Sequence, residues 1–400
     1  MYMMHKIKKS PALEALPRAG GYYRVTAVVL CLALLFVCSC KSDSSDPRSD
    51  WSYKQSPSFA EPVELPKGLG YRGCVGGKLV AHDAGRDLYL LDPKTGELET
   101  IYTTEKGFYL KDVAVDSDWI VWVETDGHYT GPYPSRWKMV ALNLAERKSH
   151  LVDEDGHPNA PFSLAVSNNK LVYCKNIAQG TQAGSQVVLY DLETRESQIL
   201  QSASKANDEL LFDCTIYDNI VVWSKLTEEN DDGNFRNTAY KYADVYLYDC
   251  KTQITEKLTE GGFYHNPALH ENTLVMVSIP QKKPGQRSGN SEIVLMDLSS
   301  RSIEVIVDGN SDIYDRVIEE MNRGYPVINS SYIAWYDGWI AHTYLYDYHK
   351  KEMIEVIIEL DYGSGLRAAN EKMLDNGVIV VIYDGSAVRI SKTLYIEFLP

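Results

Sequence analysis

Asp87 to Asp92 reads DLYLLD, and close copies return as QVVLYD at Gln186 to Asp191, DVYLYD at Asp244 to Asp249 and EIVLMD at Glu292 to Asp297. Weaker copies stand at Lys138 to Asn143 (KMVALN) and His342 to Asp347 (HTYLYD), and a seventh, Thr393 to Phe398 (TLYIEF), lacks the final Asp. Successive copies lie about 50 residues apart, the span of one four-stranded propeller blade. The repeat outweighs the length of 400 residues, which alone would suggest two or three domains.

A second strand precedes each copy: KLVAH at Lys78, WIVWVE at Trp119, KLVYCK at Lys170, IVVWSK at Ile220, TLVMVS at Thr273, YIAWYD at Tyr332 and VIVVIY at Val378. Such nearly unbroken apolar runs belong to strands buried on both faces, as blade interiors are. Before each lies a shorter segment ending in a tight polar turn, such as Ser167-Asn168-Asn169, which reads as the innermost strand and its hairpin. After each copy, a turn such as Pro93 to Glu97 leads to an outer strand. The recurrent Asp92, Asp191, Asp249, Asp297 and Asp347 are read as structural, their carboxylates accepting backbone N–H groups of that turn.

The last repeat is one strand short, and an unpaired edge in a ring is costly. Phe59 to Pro66 (FAEPVELP) alternates Val63 and Leu65 against Glu64 and supplies the missing strand. The expected fold is therefore all-β, a seven-bladed β-propeller with an N-terminal closing strand. Six blades, with one terminal repeat irregular, remain the alternative.

The first residues obey a different chemistry. Lys6, Lys8, Lys9, Arg18 and Arg24 precede an apolar run from Val25 to Val37, too short to cross a bilayer as a helix. This reads as a signal peptide over residues 1–39, an uncleaved anchor being the alternative. Val37-Cys38-Ser39-Cys40 resembles the bacterial lipobox, with Cys38 where a smaller or hydroxyl residue is usual; the resemblance makes Cys40 the lipidated residue. Residues 40–58 read as a flexible tether and 59–400 as the propeller. The expected location is the cell envelope, lipid-anchored to the bacterial membrane on its periplasmic or extracellular face.

The formal charge is −15, and loss of residues 1–39 removes five basic residues and Glu14, leaving −19. Such a surface repels nucleic acid, so the membrane is reached through the lipid rather than through basic residues. Cys74, Cys174, Cys214 and Cys250 show no CxxC spacing and read as free thiols. No cofactor or metal is expected: Ala239 occupies the position of the bidentate Glu in the calcium-like stretch starting at Glu228, and His265 and His270 fall on opposite faces of a strand.

The strings NPALHENTLVMVS, YPVINSSYIAWYD and DVYLYDCKTQITEKLTEGG resemble the repeats of TolB-like β-propellers, over roughly residues 67–400. TolB itself carries an additional N-terminal α/β domain, for which this chain has no room. The resemblance thus implies a relative in fold, and a fold does not transfer an activity.

Loop lengths orient the function. The hairpins joining strands one and two, and three and four, are short, whereas Thr125 to Trp137, Asn176 to Ser185, Leu226 to Ala243 and Ile279 to Ser291 are long. The two classes emerge on opposite ends of a propeller, so binding is expected on the long-loop end. Tyr109, Tyr129, Tyr133, Trp137, Tyr240, Tyr242, Tyr264, His265, Tyr325 and Trp339 are the candidate ligand contacts, aromatic planes suited to sugar rings or peptide side chains. No catalytic residue is assigned, since Gly363-Ser364-Gly365 is not a nucleophile elbow and no hydrolase segment follows. The leading expectation is a non-catalytic, monomeric module that binds or scaffolds a protein, peptide or glycan. The alternative is a carbohydrate-active enzyme resembling a polysaccharide lyase, with His265, Arg136 and Arg367 converging in the central channel.

Overall fold

The computed structural model describes residues 51–53, 59–83, 85–116, 118–126, 136–155, 161, 163–177, 184–207, 209–226, 243–261, 263–279, 291–307, 323–337, 343–356, 358–360, 366–374, 376–384 and 389–399. They belong to one compact unit, Asp50–Pro400. Seven four-stranded antiparallel sheets follow one another along the chain, with strand order matching sequence order in the first six. Blade one comprises Leu69–Val75, Lys78–Asp83, Asp87–Leu91 and Leu98–Thr103. The inner strands of the later blades are Tyr109–Asp116, Ser163–Ser167, Leu210–Tyr217, Tyr264–His270, Arg323–Ile328 and Leu366–Leu374. Each packs beside the next, and the last returns to the first, so the ring is closed.

Hydrophobic alternation explains the closure. In the second strand of blade two, Trp119–Thr125, every residue is buried. Successive side chains point to opposite faces, so Ile120 and Trp122 join the core shared with blade one while Val121 and Val123 join the core shared with blade three. Among the described residues seven such cores are present, one for every adjacent pair of blades, including blade seven against blade one. A sheet buried on both faces needs a neighbour on each side, and this count selects seven blades over six. Full burial of one large apolar side chain contributes roughly 1.5–3 kcal/mol, which makes these cores the main source of stability.

The repeated aspartates do what their position suggests. Asp92 accepts the N–H groups of Lys94 and Thr95 at 2.8 and 3.2 Å. Asp191, Asp249 and Asp347 each take the two equivalent bonds, Asp297 takes that of Ser300, and Asn143 that of Glu146. Each turn then closes on a left-handed residue: Gly96 at φ 75°, Arg147 at 54°, Arg195 at 64°, Gln253 at 58°, Arg301 at 60° and Lys351 at 58°.

The ring closes through the amino-terminal segment. Val63 and Glu64 pair with Tyr395 and Leu394 as the fourth strand of blade seven. Phe59 bridges to Phe398, and the N–H groups of Ala60 and Leu65 donate to Glu397 and Thr393 at 2.9 Å. Lys392 reaches Glu64 at 3.1 Å. Within the stretch read as a tether, Trp51–Tyr53 pairs antiparallel with Ile358–Leu360, so ordered chain begins before Phe59. Residues 1–50, including Cys40, lie outside the described residues.

Candidate functional site

The inner strands are not regular. Six of them skip register against their neighbour near the axis, at Arg72, at Lys111, at Asp213 and Cys214, at Asn266 and Pro267, at Tyr325 and Pro326, and at Glu371. A bulged residue leaves the ladder and turns its side chain away from the sheet's ordinary alternation. Asp213, Asn266 and Tyr325 adopt φ of 50°, 49° and 50°, so three successive blades bend in the same way at the same place. Pro267 and Pro326 fit there because a bulge spares them a ladder hydrogen bond. The skipped residue is the central one of seven in blade one and the third of eight in blade two, and the skips of blades four, five and six straddle or adjoin the middle of their strands.

Between blades four and five the bulges build a buried chain. The Asn266 amide donates to Asp213 Oδ2 at 2.7 Å, and its oxygen meets His265 Nδ1 at 2.6 Å. The amide nitrogen being spent on the carboxylate, Asn266 Oδ1 is the acceptor and His265 carries its proton on Nδ1. Burial pushes the Asp213 carboxyl up to about 6, and it pulls His265 down to about 4 against the opposing pull of the Asn266 bond. His265 and Asn266 are 5% and 7% exposed.

Between blades one and two the character is cationic. Arg72 Nε donates to His82 Nε2 at 3.0 Å, and His82 Nδ1 then donates to the Asp83 carbonyl at 2.7 Å. Both imidazole nitrogens are engaged, and burial, reinforced by the Arg72 charge, keeps this buried histidine below its ordinary pKa. Gly70 makes room, since a Cβ there would stand 3.0 Å from His82 Nε2. Lys111, one blade on, is exposed, yet desolvation lowers its pKa.

Of the sequence-predicted contacts, Tyr109, Tyr264 and His265 begin the inner strands of blades two and five, and Tyr325 is the bulge of blade six, 62% exposed. Tyr129, Tyr133, Tyr240, Tyr242 and Trp339 lie outside the described residues. Trp137 is only 2% exposed and packs in the core between blades two and three, so its ring has no surface to offer a ligand. Arg136 directly precedes a third strand rather than an inner one, pairs with Asp126 at 3.3 Å and lies over the Phe108 ring. Arg367 belongs to the inner strand of blade seven. His270 ends the strand that Tyr264 begins, and its ring meets that of Tyr217 at a tilt, 4.5 Å between centroids. Sequence reasoning missed Arg72, His82, Lys111, Asp213 and Asn266.

No family model and no curated protein matches the chain. Among solved structures, an oligogalacturonate lyase in complex with manganese is similar at a TM-score of 0.53 and 14% identity, over 88% of this chain and 96% of that one. The β-propeller domain of the Trilobed protease from Pyrococcus furiosus gives 0.55 and 12% identity over 86% and 94%. An acylaminoacyl peptidase in complex with a chloromethyl ketone gives 0.54 and 14% over 86% of this chain and 52% of that one. The Trilobed domain is described as having an open velcro topology, whereas here Val63 and Glu64 complete the last blade. At these identities the likeness is one of fold: the chain is a seven-bladed β-propeller of the kind found in oligogalacturonate lyase and in peptidase propeller domains.

Proposed function

We propose that the protein is a non-catalytic binding or scaffolding propeller, related in fold to the TolB-like group, that takes a peptide or glycan at the axial mouth of its long-loop end. The observation that supports this reading is the recurrence of inner-strand bulges, which take Arg72, Lys111 and Tyr325 of three blades out of the ladder, Tyr325 being exposed. An exposed aromatic ring is a suitable anchor for a sugar ring or a peptide side chain. A lipid on Cys40 would hold the monomer to the envelope membrane; palmitate labelling lost in Cys40→Ala tests that part. For the binding part, the purified protein is screened on glycan and peptide arrays, and the captured ligand is re-measured with Tyr325→Ala and with Lys94→Ala, which sits in a short turn at the other end. Loss with the first alone supports the reading; loss with the second alone reverses the face.

A second reading, a polysaccharide lyase-like enzyme, is favoured by the fold likeness to oligogalacturonate lyase over nearly the full length of both chains. Here His265, held neutral by burial, is the candidate base for proton abstraction from a uronate. Incubation with oligouronates and detection of an unsaturated product by its ultraviolet absorbance decides for it, and an unchanged spectrum decides against it.

A further inference from the structure

We infer that Cys174 and Cys214 are the two halves of a disulfide site that staples blade three to blade four. The inference concerns the scaffold and stands whichever ligand the axial mouth takes.

The two thiols come from facing sheets. Cys174 lies in the second strand of blade three, Lys170–Ile177, where Leu171, Val172, Tyr173 and Cys174 are all buried. Leu171 and Tyr173 join the core shared with blade two, so Val172 and Cys174 face blade four, and both belong to the core of that interface. In the inner strand of blade four, the bulge at Asp213 and Cys214 shifts the alternation. Leu211, Cys214 and Ile216 all face back to blade three, whereas in an unbroken strand Cys214 would point away from the side that Leu211 takes. The skip thus carries the Cys214 thiol into the core that holds Cys174.

Ser163 is the shared neighbour that brings the two together. It stands directly opposite Cys174 in the blade-three ladder, so their side chains share a face, with Cβ atoms about 4.5–5.5 Å apart. The Ser163 hydroxyl donates to the Cys214 carbonyl at 3.1 Å, and Cys214 Sγ lies 3.5 Å from both the carbonyl and the hydroxyl oxygen of Ser163. Cys214 is therefore held, by backbone and by thiol, on the residue beside Cys174. The Cys174 thiol in turn interacts with the thiol and the backbone N–H of Cys214. A disulfide spans Cα atoms about 4.4–6.8 Å apart, a reach that suits two cysteines in contact through one residue.

Both thiols are free in this structure, which is the reduced form of the site. The oxidant is a second disulfide, of a protein or of a small thiol. The Cys214 thiolate attacks one of its sulfurs, forming a mixed disulfide and releasing one thiol; the Cys174 thiolate then attacks Cys214 Sγ, forming the inter-blade bond and releasing the other. Two S–H bonds are lost and one S–S bond is gained, and the two protons and two electrons end on the donor as two thiols. Cys174 is wholly buried and Cys214 nearly so, and burial holds the Cys174 thiol above its ordinary pKa and protonated. Closure therefore belongs to the folding chain or to a moment of opening between the blades, and the closed bond is shielded from reductant. The stapled interface lies across the ring from blade seven, where the amino-terminal segment completes the circle.

The test reduces and unfolds the full-length protein, refolds it with oxidised glutathione, alkylates the remaining thiols and digests with trypsin. The expected product is peptide 171–175 joined to peptide 206–225, which carry Cys174 and Cys214, lighter than their sum by two hydrogen atoms and separated by reductant. Recovery of the two peptides unlinked, as alkylated thiols or glutathione adducts, overturns the site. A second measurement compares denaturant midpoints of the refolded protein with and without reductant. Reductant should lower the midpoint of the native sequence and leave those of Cys174→Ala and Cys214→Ala unmoved. A reductant effect that persists in both variants belongs to other cysteines and overturns the staple. Should either variant fail to fold, the peptide map of the native sequence decides alone.

Discussion

The backbone of Phe59 pairs antiparallel with that of Phe398, and their rings stand 5.7 Å apart between centroids. Phe59 is fully buried, and its ring also meets Tyr332 of blade six at 6.1 Å. One residue therefore joins the two ends of the propeller and seals the core between blades six and seven. Phe59→Ala is expected to cost about 3–5 kcal/mol, read as a lowered denaturant midpoint, and to open blade seven to proteolysis first. A midpoint equal to that of the native protein would show that the ring holds without this seal.

The turns after the third strands give a paired prediction. Asp249 accepts two backbone N–H groups, and Gln253, four residues on, sits exposed at φ 58°. Asp249→Ala should destabilise by about 1 kcal/mol through the lost acceptor, and Gln253→Gly should stabilise by up to about 1 kcal/mol by relieving the left-handed conformation. Opposite signs for two substitutions in one turn are the outcome that thermal melting checks.

Asp213 and His265 impose opposing pH dependences. In the folded protein Asp213 keeps its proton up to about pH 6, against an ordinary value of 3.8, so the folded state holds more protons in that window and stability falls as pH rises through it. His265 resists protonation down to about 4 against an ordinary 6.5, so stability falls as pH drops from 6.5 to 4. Asp213→Asn removes the first effect. The variant should be more stable than the native protein at pH 7 by on the order of 2–3 kcal/mol, lose that advantage below pH 4, and show the histidine slope uncovered between. Urea unfolding at several pH values reports it; a variant that tracks the native curve throughout would mean Asp213 is not desolvated.

Trp137 and Tyr325 separate packing from binding. Trp137→Ala should destabilise by roughly 3–5 kcal/mol, since its ring fills a core. Tyr325→Ala should shift stability by less than about 0.5 kcal/mol at this exposed ring, yet weaken binding of a captured ligand by tenfold or more. The two readouts, melting temperature and affinity, should respond to different variants.

The architecture was legible because it is periodic. The second strands repeat with enough apolar residues to demand burial on both faces, and Val63 to Leu65 alternates as a lone strand must when an edge awaits it. The site was far less legible. A bulge displaces alternation by a single residue, so Arg72, Lys111 and Asp213 read as ordinary polar positions of a half-buried strand. Pro267 and Pro326 were the available signal, since proline inside a strand marks a bulge or an edge. Trp137 misled for a related reason: it stands at the border of loop and strand, where one step of register decides whether a ring faces solvent or core. Trp51–Tyr53 is too short for alternation to be read at all.

The bulged positions have a consequence for how such a propeller changes over time. Because Arg72 and Lys111 fall between the paired residues of their ladders, exchanging them leaves every partner in its register. The residues flanking them, Tyr71 and Leu110, belong to inter-blade cores and tolerate little. Lys111, exposed and outside the ladder, can therefore be exchanged at little cost to the scaffold, whereas exchange of Arg72 is felt at once by the buried His82 to which it donates.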